Sequence, residues 1–211
     1  MSARLRQELA SRAVALSQRV LDRLYENPFW MERYGERGRR FANEDSLHHI
    51  NYLDQALAAG DPGVFTRYAQ WLRTVLVSRG MCTEHLAENF RLLAEAIAND
   101  GLPDAGQAGA ILLEGQRSLE YDSGDAAVLE RAKPHLLDAV RTAQDPSASM
   151  REDDRRYLVS YLIDAAATGD PRAFEAFAAR FPHHVTAALA ASASLSAPPE
   201  TARPPWDGTD R

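Results

Sequence analysis

The chain has 211 residues, of which 45% are hydrophobic and 26% charged, and its formal net charge is −6. This is the composition of a folded soluble protein long enough to bury a substantial core. The acidic balance argues against a nucleic-acid-binding module, which needs a basic face. No apolar run approaches the roughly 18 residues of a membrane span. Arg4, Arg6, Arg12, Arg19 and Arg23, with Glu8 and Asp22 between them, interrupt the opening segment, so no signal peptide is readable and a cytoplasmic location is expected.

In chain order, Leu5, Leu9, Ala13, Leu16, Val20 and Leu24 recur at steps of three and four, which predicts an amphipathic helix over 3–25. It is read as a separate N-terminal element, 1–26, suited to a dimer contact. Asn27-Pro28 starts a short aromatic segment, FWMERY, broken by Gly35 and Gly38. Arg33, Arg37, Arg39 and Arg40 alternate there with Glu32 and Glu36 and precede Glu44-Asp45, which reads as a solvated or internally paired cluster. A helix is expected from about Asn43 to Ala59, with Leu47, Ile50, Leu53 and Leu57 as its apolar stripe. The next runs to about Arg79 with Val64, Tyr68, Trp71, Leu72 and Val75 facing inward.

Thr83 is expected to cap a helix carrying Leu86, Phe90, Leu93 and Ile97, which Asn99-Asp100-Gly101 stops. Pro103-Asp104 starts another, apolar at Ala108, Ile111, Leu112 and Leu119, where Gly106, Gly109 and Gly115 weaken the helix or mark close helix contacts. A helix kinked at Pro134 and ending near Ala143, a linker at Asp145-Pro146-Ser147, helices over Glu152–Thr168 and Pro171–Phe181, and an Ala-rich helix over Pro182–Ala193 complete a core domain drawn over 27–193. The Pro-rich tail, 194–211, with its lone Trp206, is expected to be disordered. No period-two apolar alternation long enough for a strand occurs.

The organising feature is a repeat. YLDQALAAGDPGVFTRYAQWL, Tyr52–Leu72, returns 109 residues later as YLIDAAATGDPRAFEAFAARF, Tyr161–Phe181. In each copy a Gly suits a helix C-terminus, the Asp a cap and the Pro a first turn. The fold expected is therefore all-α, about eight helices in an antiparallel bundle with two pseudo-repeated helix-GDP-helix hairpins. A globin-like arrangement is the alternative.

The residues that could carry chemistry gather in the first hairpin. Asp45, His49 and Tyr52 share one helix face, where a carboxylate one turn before a His fixes its tautomer and a Tyr hydroxyl completes a polar pocket. With Trp71 they form the expected small-ligand site. Asp45 and His48 meet the carboxylate-x-x-His spacing of a di-iron site once, but Tyr157 and Leu158 stand at the corresponding place in the second hairpin. Haem or iron binding through His48 or His49 is thus an alternative and not the main reading. Cys82 is the only cysteine, which excludes an intrachain disulfide or a Cys-based zinc site; it reads as an inert buried thiol, or as the attachment point of a bilin-type chromophore. His183-His184 read as surface residues or the entry to the last helix, with metal binding a minor alternative, and His85 and His135 have no partners at metal-ligand spacing. No phosphate loop, nucleophile elbow or Ser/His/Asp arrangement is visible, so catalysis is the less expected class.

The run Tyr34–Ile97, with YGERGR, EDSLHHINYLDQAL, GDPGVFTRYAQWL and HLAENFRLLAEAI, resembles the helical region ahead of the cobalamin-binding domain in some bacterial cobalamin-binding regulatory proteins. RRYLVSYLIDAAATGDPRAF resembles the first helix of the cobalamin cap bundle. The Asp-x-His-x-x-Gly signature of that family's α/β domain is absent, so the resemblance, over about half the chain, implies a regulatory or sensory module without cobalamin. The function expected is non-enzymatic, exercised through a protein partner or a homodimer, with no nucleic acid and no membrane.

Overall fold

The structure is a computed structural model describing residues 3–121, Glu130, 151–170 and 172–178. The described residues are all-helical, with no strand. By its contacts the chain divides into two compact units, Met1–Asp122 and Ser123–Arg211. The expected helix to Ala143 with Pro134 and His135, the linker, His183-His184, the helix over 182–193 and the tail with Trp206 lie outside the described residues.

Unit 1 holds five described helices: α1 (Ala3–Tyr25), α2 (Pro28–Ala59), α3 (Gly63–Ser78), α4 (Thr83–Asn99) and α5 (Ala105–Arg117). Unit 2 holds α6 (Glu152–Thr168) and α7 (Arg172–Ala178).

The apolar stripe of α1 is spent inside the unit. Leu5, Leu9, Leu16, Val20, Leu21 and Leu24 are buried, and α1 packs on α2 and α4. The face expected to contact a second chain is therefore already covered, because three-helix packing removes more apolar surface from water than a lone helix could. Polar contacts fix the register of this packing. Arg6 makes a forked pair with Asp54 of α2 at 2.7 and 2.9 Å, and the buried Ser17 hydroxyl lies 2.9 Å from Asn43 Oδ1. At the end of α4, Arg12 reaches Asp100 Oδ2 at 2.8 Å, Arg19 also contacts Asp100, and these hydrogen bonds hold the Asp100 carboxyl below its ordinary value.

Helix α2 begins where Asn27-Pro28 indicates: Asn27 Oδ1 accepts the Phe29 N–H at 3.0 Å and Pro28 occupies the first turn. It then continues to Ala59, so the short aromatic segment and the helix expected from Asn43 are one element, broken only where Gly35 leaves helical geometry at φ 57°, ψ −162°. Helix α4 starts one residue from the expected cap, with Cys82 at the N-cap.

The two Gly-Asp-Pro stretches share local geometry. Gly60 and Gly169 both end their helices in the left-handed region, at φ 66° and 71°, which a residue without Cβ enters at no steric cost. Asp61 Oδ1 accepts the Gly63 N–H at 2.8 Å, and Asp170 Oδ1 accepts the Arg172 N–H at 3.1 Å. Hydrogen bonds from Arg172 bring the Asp170 carboxyl down to about 2. The residues that follow pack alike: Phe65 and Phe174 are buried, Tyr52 stacks on Tyr68 with ring centroids 3.9 Å apart, and Tyr161 stacks on Phe177 at 4.9 Å.

Of the three glycines of α5, Gly115 marks a close contact. A Cβ there would lie 2.4 and 2.5 Å from the Phe65 ring, whereas Gly106 and Gly109 face open space. Gly115→Ala is expected to destabilise the protein by about 1–3 kcal/mol through overpacking, while Gly109→Ala is neutral or stabilising by up to about 1 kcal/mol through helix propensity. Urea titrations of both variants check the pair, and equal midpoints would contradict the α3–α5 contact.

Candidate functional site

The residues singled out by sequence converge on one that was read only as core, Tyr68. The buried stripe of α3 is Phe65, Tyr68, Ala69 and Leu72, so α3 presents Tyr68 to the interior facing α2. There the Tyr68 hydroxyl lies 2.7 Å from Nδ1 of His49, which is itself 1% exposed. Phe90 of α4 meets the His49 ring edge to face at 5.1 Å, and Phe65 packs against both Tyr68 and Phe90.

Burial in this aromatic setting disfavours charge on either partner. It lowers the His49 pKa to about 3 and raises that of Tyr68. The pair is thus a neutral imidazole hydrogen-bonded to a neutral phenol. Asp45 does not fix the His49 tautomer as expected; Tyr68 holds that position. Asp45 stands half-exposed at the rim, its own carboxyl pushed up by partial burial, and acts on Tyr68 only through its charge.

Tyr52 lies over the Tyr68 ring on the solvent side, half-buried. Trp71 corrects a second expectation. It was placed inward, yet it is 59% exposed, with its ring centroid 6.2 Å from that of Tyr68. The reason is helical phase: a stripe of 65, 68, 69 and 72 leaves position 71 on the outer flank of α3. Val64 and Val75, also expected inward, are half-buried for the same reason. Four sequence-chosen residues, Asp45, His49, Tyr52 and Trp71, are therefore assembled around Tyr68, with His49 beneath and the other three at the surface.

His48 is exposed, and His49 is enclosed by packed rings; among the described residues no three His, Cys, Asp or Glu side chains gather as a metal site. A haem could reach His49 only by displacing Tyr68 or Phe90 from the core. Cys82 is fully buried at the N-cap of α4, so attachment of a chromophore to its thiol would require that helix end to open.

A second buried imidazole was missed by sequence reasoning. His85 sits in the first turn of α4, and its Nδ1 accepts the Cys82 N–H at 3.4 Å. Phe29, Trp30 and Tyr34 surround it with centroids 5.1, 5.0 and 6.1 Å away, and burial lowers its pKa to about 3. The aromatic run FWMERY was its only sequence signal.

Comparison of residues 109 apart supplies an internal control. His49 corresponds to Leu158 and Tyr68 to Phe177, and both members of the apolar pair are buried like their polar counterparts. At the corresponding sequence positions the chain thus carries a buried apolar pair in place of the hydrogen-bonded one. No protein-family model, curated protein or solved structure matches the chain.

Two outcomes follow from this pair. Tyr68→Phe, which leaves Nδ1 of His49 unpaired in the core, is expected to cost about 1–3 kcal/mol, whereas His49→Leu with Tyr68→Phe costs less than the two single changes added together; additive losses in urea melts would contradict the coupling. Below pH 6.5 the unfolded chain takes up protons on histidine that the folded chain refuses until about pH 3. Stability is then lost as pH falls, by an amount approaching about 1.4 kcal/mol per pH unit for each buried imidazole. Melts from pH 7 to 5 should show a shallower decline in the double variant, and an unchanged slope would mean that His49 is protonated in the folded state.

Proposed function

We propose that this chain is a non-enzymatic regulatory module that acts by docking another protein on the α2–α3 face around Trp71. The observation that carries the reading is the exposure of Trp71 on a fixed base. Its ring, 59% exposed, rests beside Tyr68, whose own ring is stacked on Tyr52 and whose hydroxyl is tied to His49. An exposed indole is the side chain most often found at the energetic centre of protein interfaces, and holding it on packed rings reduces the ordering cost of association.

The surroundings suit a contact more than a small-molecule pocket. Tyr52 and Tyr68 are packed ring against ring, with no space between them for a ligand. Asp45, His48 and Arg79 supply polar groups around the aromatic centre, the arrangement of an interface rim. The resemblance of residues 34–97 to a helical region of regulatory proteins supports the same class.

Position-specific crosslinking tests this. With p-benzoylphenylalanine at position 71, irradiation in cells is expected to give a discrete adduct whose mass distinguishes a second copy from a different protein. The same group at exposed Gln7 on α1 gives none. Trp71→Ala is expected to change stability by no more than about 0.5–1 kcal/mol, as befits an exposed side chain. No adduct at 71, or the same products at both positions, sinks the reading.

A further inference from the structure

Building on the protein-contact reading above, we infer that the partner presents an acidic segment with an apolar side chain, received by Arg37, Arg40 and Phe41 at the N-terminal end of the same α2 face. Arg37, Phe41, His48 and Tyr52 fall at helical spacing along one flank of α2. Phe41 is 47% exposed, and the guanidinium carbons of Arg37 and Arg40 lie 5.6 and 5.8 Å from its ring centroid.

What sets these two arginines apart is the exposed ring they share. Stacking on a ring occupies the face of a guanidinium and leaves its N–H edge, which is the part that grips a planar oxyanion in bidentate fashion. In two other arginines that lie over rings the edge is already used, while Arg33, 5.6 Å from the centroid of half-buried Tyr34, forms no ion pair among the described residues. Arg39 lies over Tyr25 and pairs with Asp22 at 2.7 Å, and Arg73 lies over Tyr121 and donates to the Leu119 and Glu120 carbonyls at 2.6 and 2.9 Å. Arg37 and Arg40 form no ion pair among the described residues. Glu36 and Glu44 stand one turn to either side of Arg40, at spacing that allows pairing, yet both guanidiniums stay on the exposed ring.

Two unused donor edges beside an exposed phenyl ring are complementary to carboxylates flanking an apolar side chain. A long polyanion fits less well. Its many phosphates would meet Glu36, Glu44 and the net charge of −6, whereas a short acidic segment engages only the local cations.

The test is fluorescence anisotropy of a short fluorescein-labelled peptide of aspartates interspersed with leucine and phenylalanine, titrated with the full chain. Saturable binding is expected, weakened about tenfold or more by Arg37→Glu with Arg40→Glu, by Phe41→Ala, and by replacing the peptide's aspartates with asparagine. The exposed positions of the substituted residues let circular dichroism confirm an unchanged fold. The inference is overturned by the absence of saturable binding, by equal affinity in the charge-reversed variant, or by tighter binding of oligothymidylate or phosphatidylserine vesicles than of the peptide. Binding that survives Trp71→Ala but not the arginine reversal keeps this inference and removes Trp71 from the docking face; the converse keeps Trp71 and removes the arginines.

Discussion

A hydrogen-bond donor or acceptor buried among aromatic rings is costly without a partner, and the 2.7 Å contact between Tyr68 and His49 supplies one to both. Around it the first hairpin is assembled. The hydroxyl ties α3 to α2, the Tyr68 ring carries Tyr52 on one side and leads to Trp71 on the other, and Phe65 and Phe90 seal the interior. The surface that α2 and α3 present is thus set by a contact that never reaches solvent. Removing either member leaves an orphaned polar group; 109 residues on, the chain carries buried Leu158 and Phe177 instead.

Burial of two imidazoles, His49 and His85, in separate aromatic surroundings gives unit 1 a common electrostatic property. Both are neutral in the folded state well below the ordinary histidine value. His49 is satisfied across helices, whereas His85 receives the backbone N–H of Cys82 three residues earlier and so closes the start of its own helix. The two sites have the same titration behaviour for different structural reasons: one joins α2 to α3, the other shapes the entry to α4.

The helices and their ends were largely legible in the sequence because they are encoded locally. Asn27-Pro28, Gly60-Asp61 and Gly169-Asp170 act through backbone geometry and side-chain hydrogen bonds within a few residues, and each does in the structure what its residue types indicate. What depends on three dimensions was not legible. Gly35 interrupts α2 without ending it, because the chain resumes its helix on the same core. Hydrophobicity points Trp71 inward, but helical phase leaves it outside. Asp45, His49 and Tyr52 stand at helical spacing on α2, but that Tyr68 packs among them could not be read from α2 alone, since it comes from another helix. The packing of α1 on α2 and α4 likewise uses a stripe whose target the sequence does not specify.

The two stacked aromatic pairs differ in their exposure. Tyr161 on Phe177 is buried within unit 2. Tyr52 on Tyr68 sits at the rim, with Trp71 beyond it in solvent. Exposing an indole forfeits burial of one of the largest apolar side chains, on the order of a few kcal/mol, and nothing in the architecture of α3 requires it, because Phe65, Tyr68, Ala69 and Leu72 already complete the inward stripe. The same holds for Phe41, whose ring stands between two cations although α2 has ample apolar residues facing the core. Both exposed rings lie in the hairpin that also carries the polar core pair. The polar contact below holds the Tyr68 ring beside which Trp71 lies, and on the proposed reading a side chain set against a packed ring loses less freedom when a partner covers it.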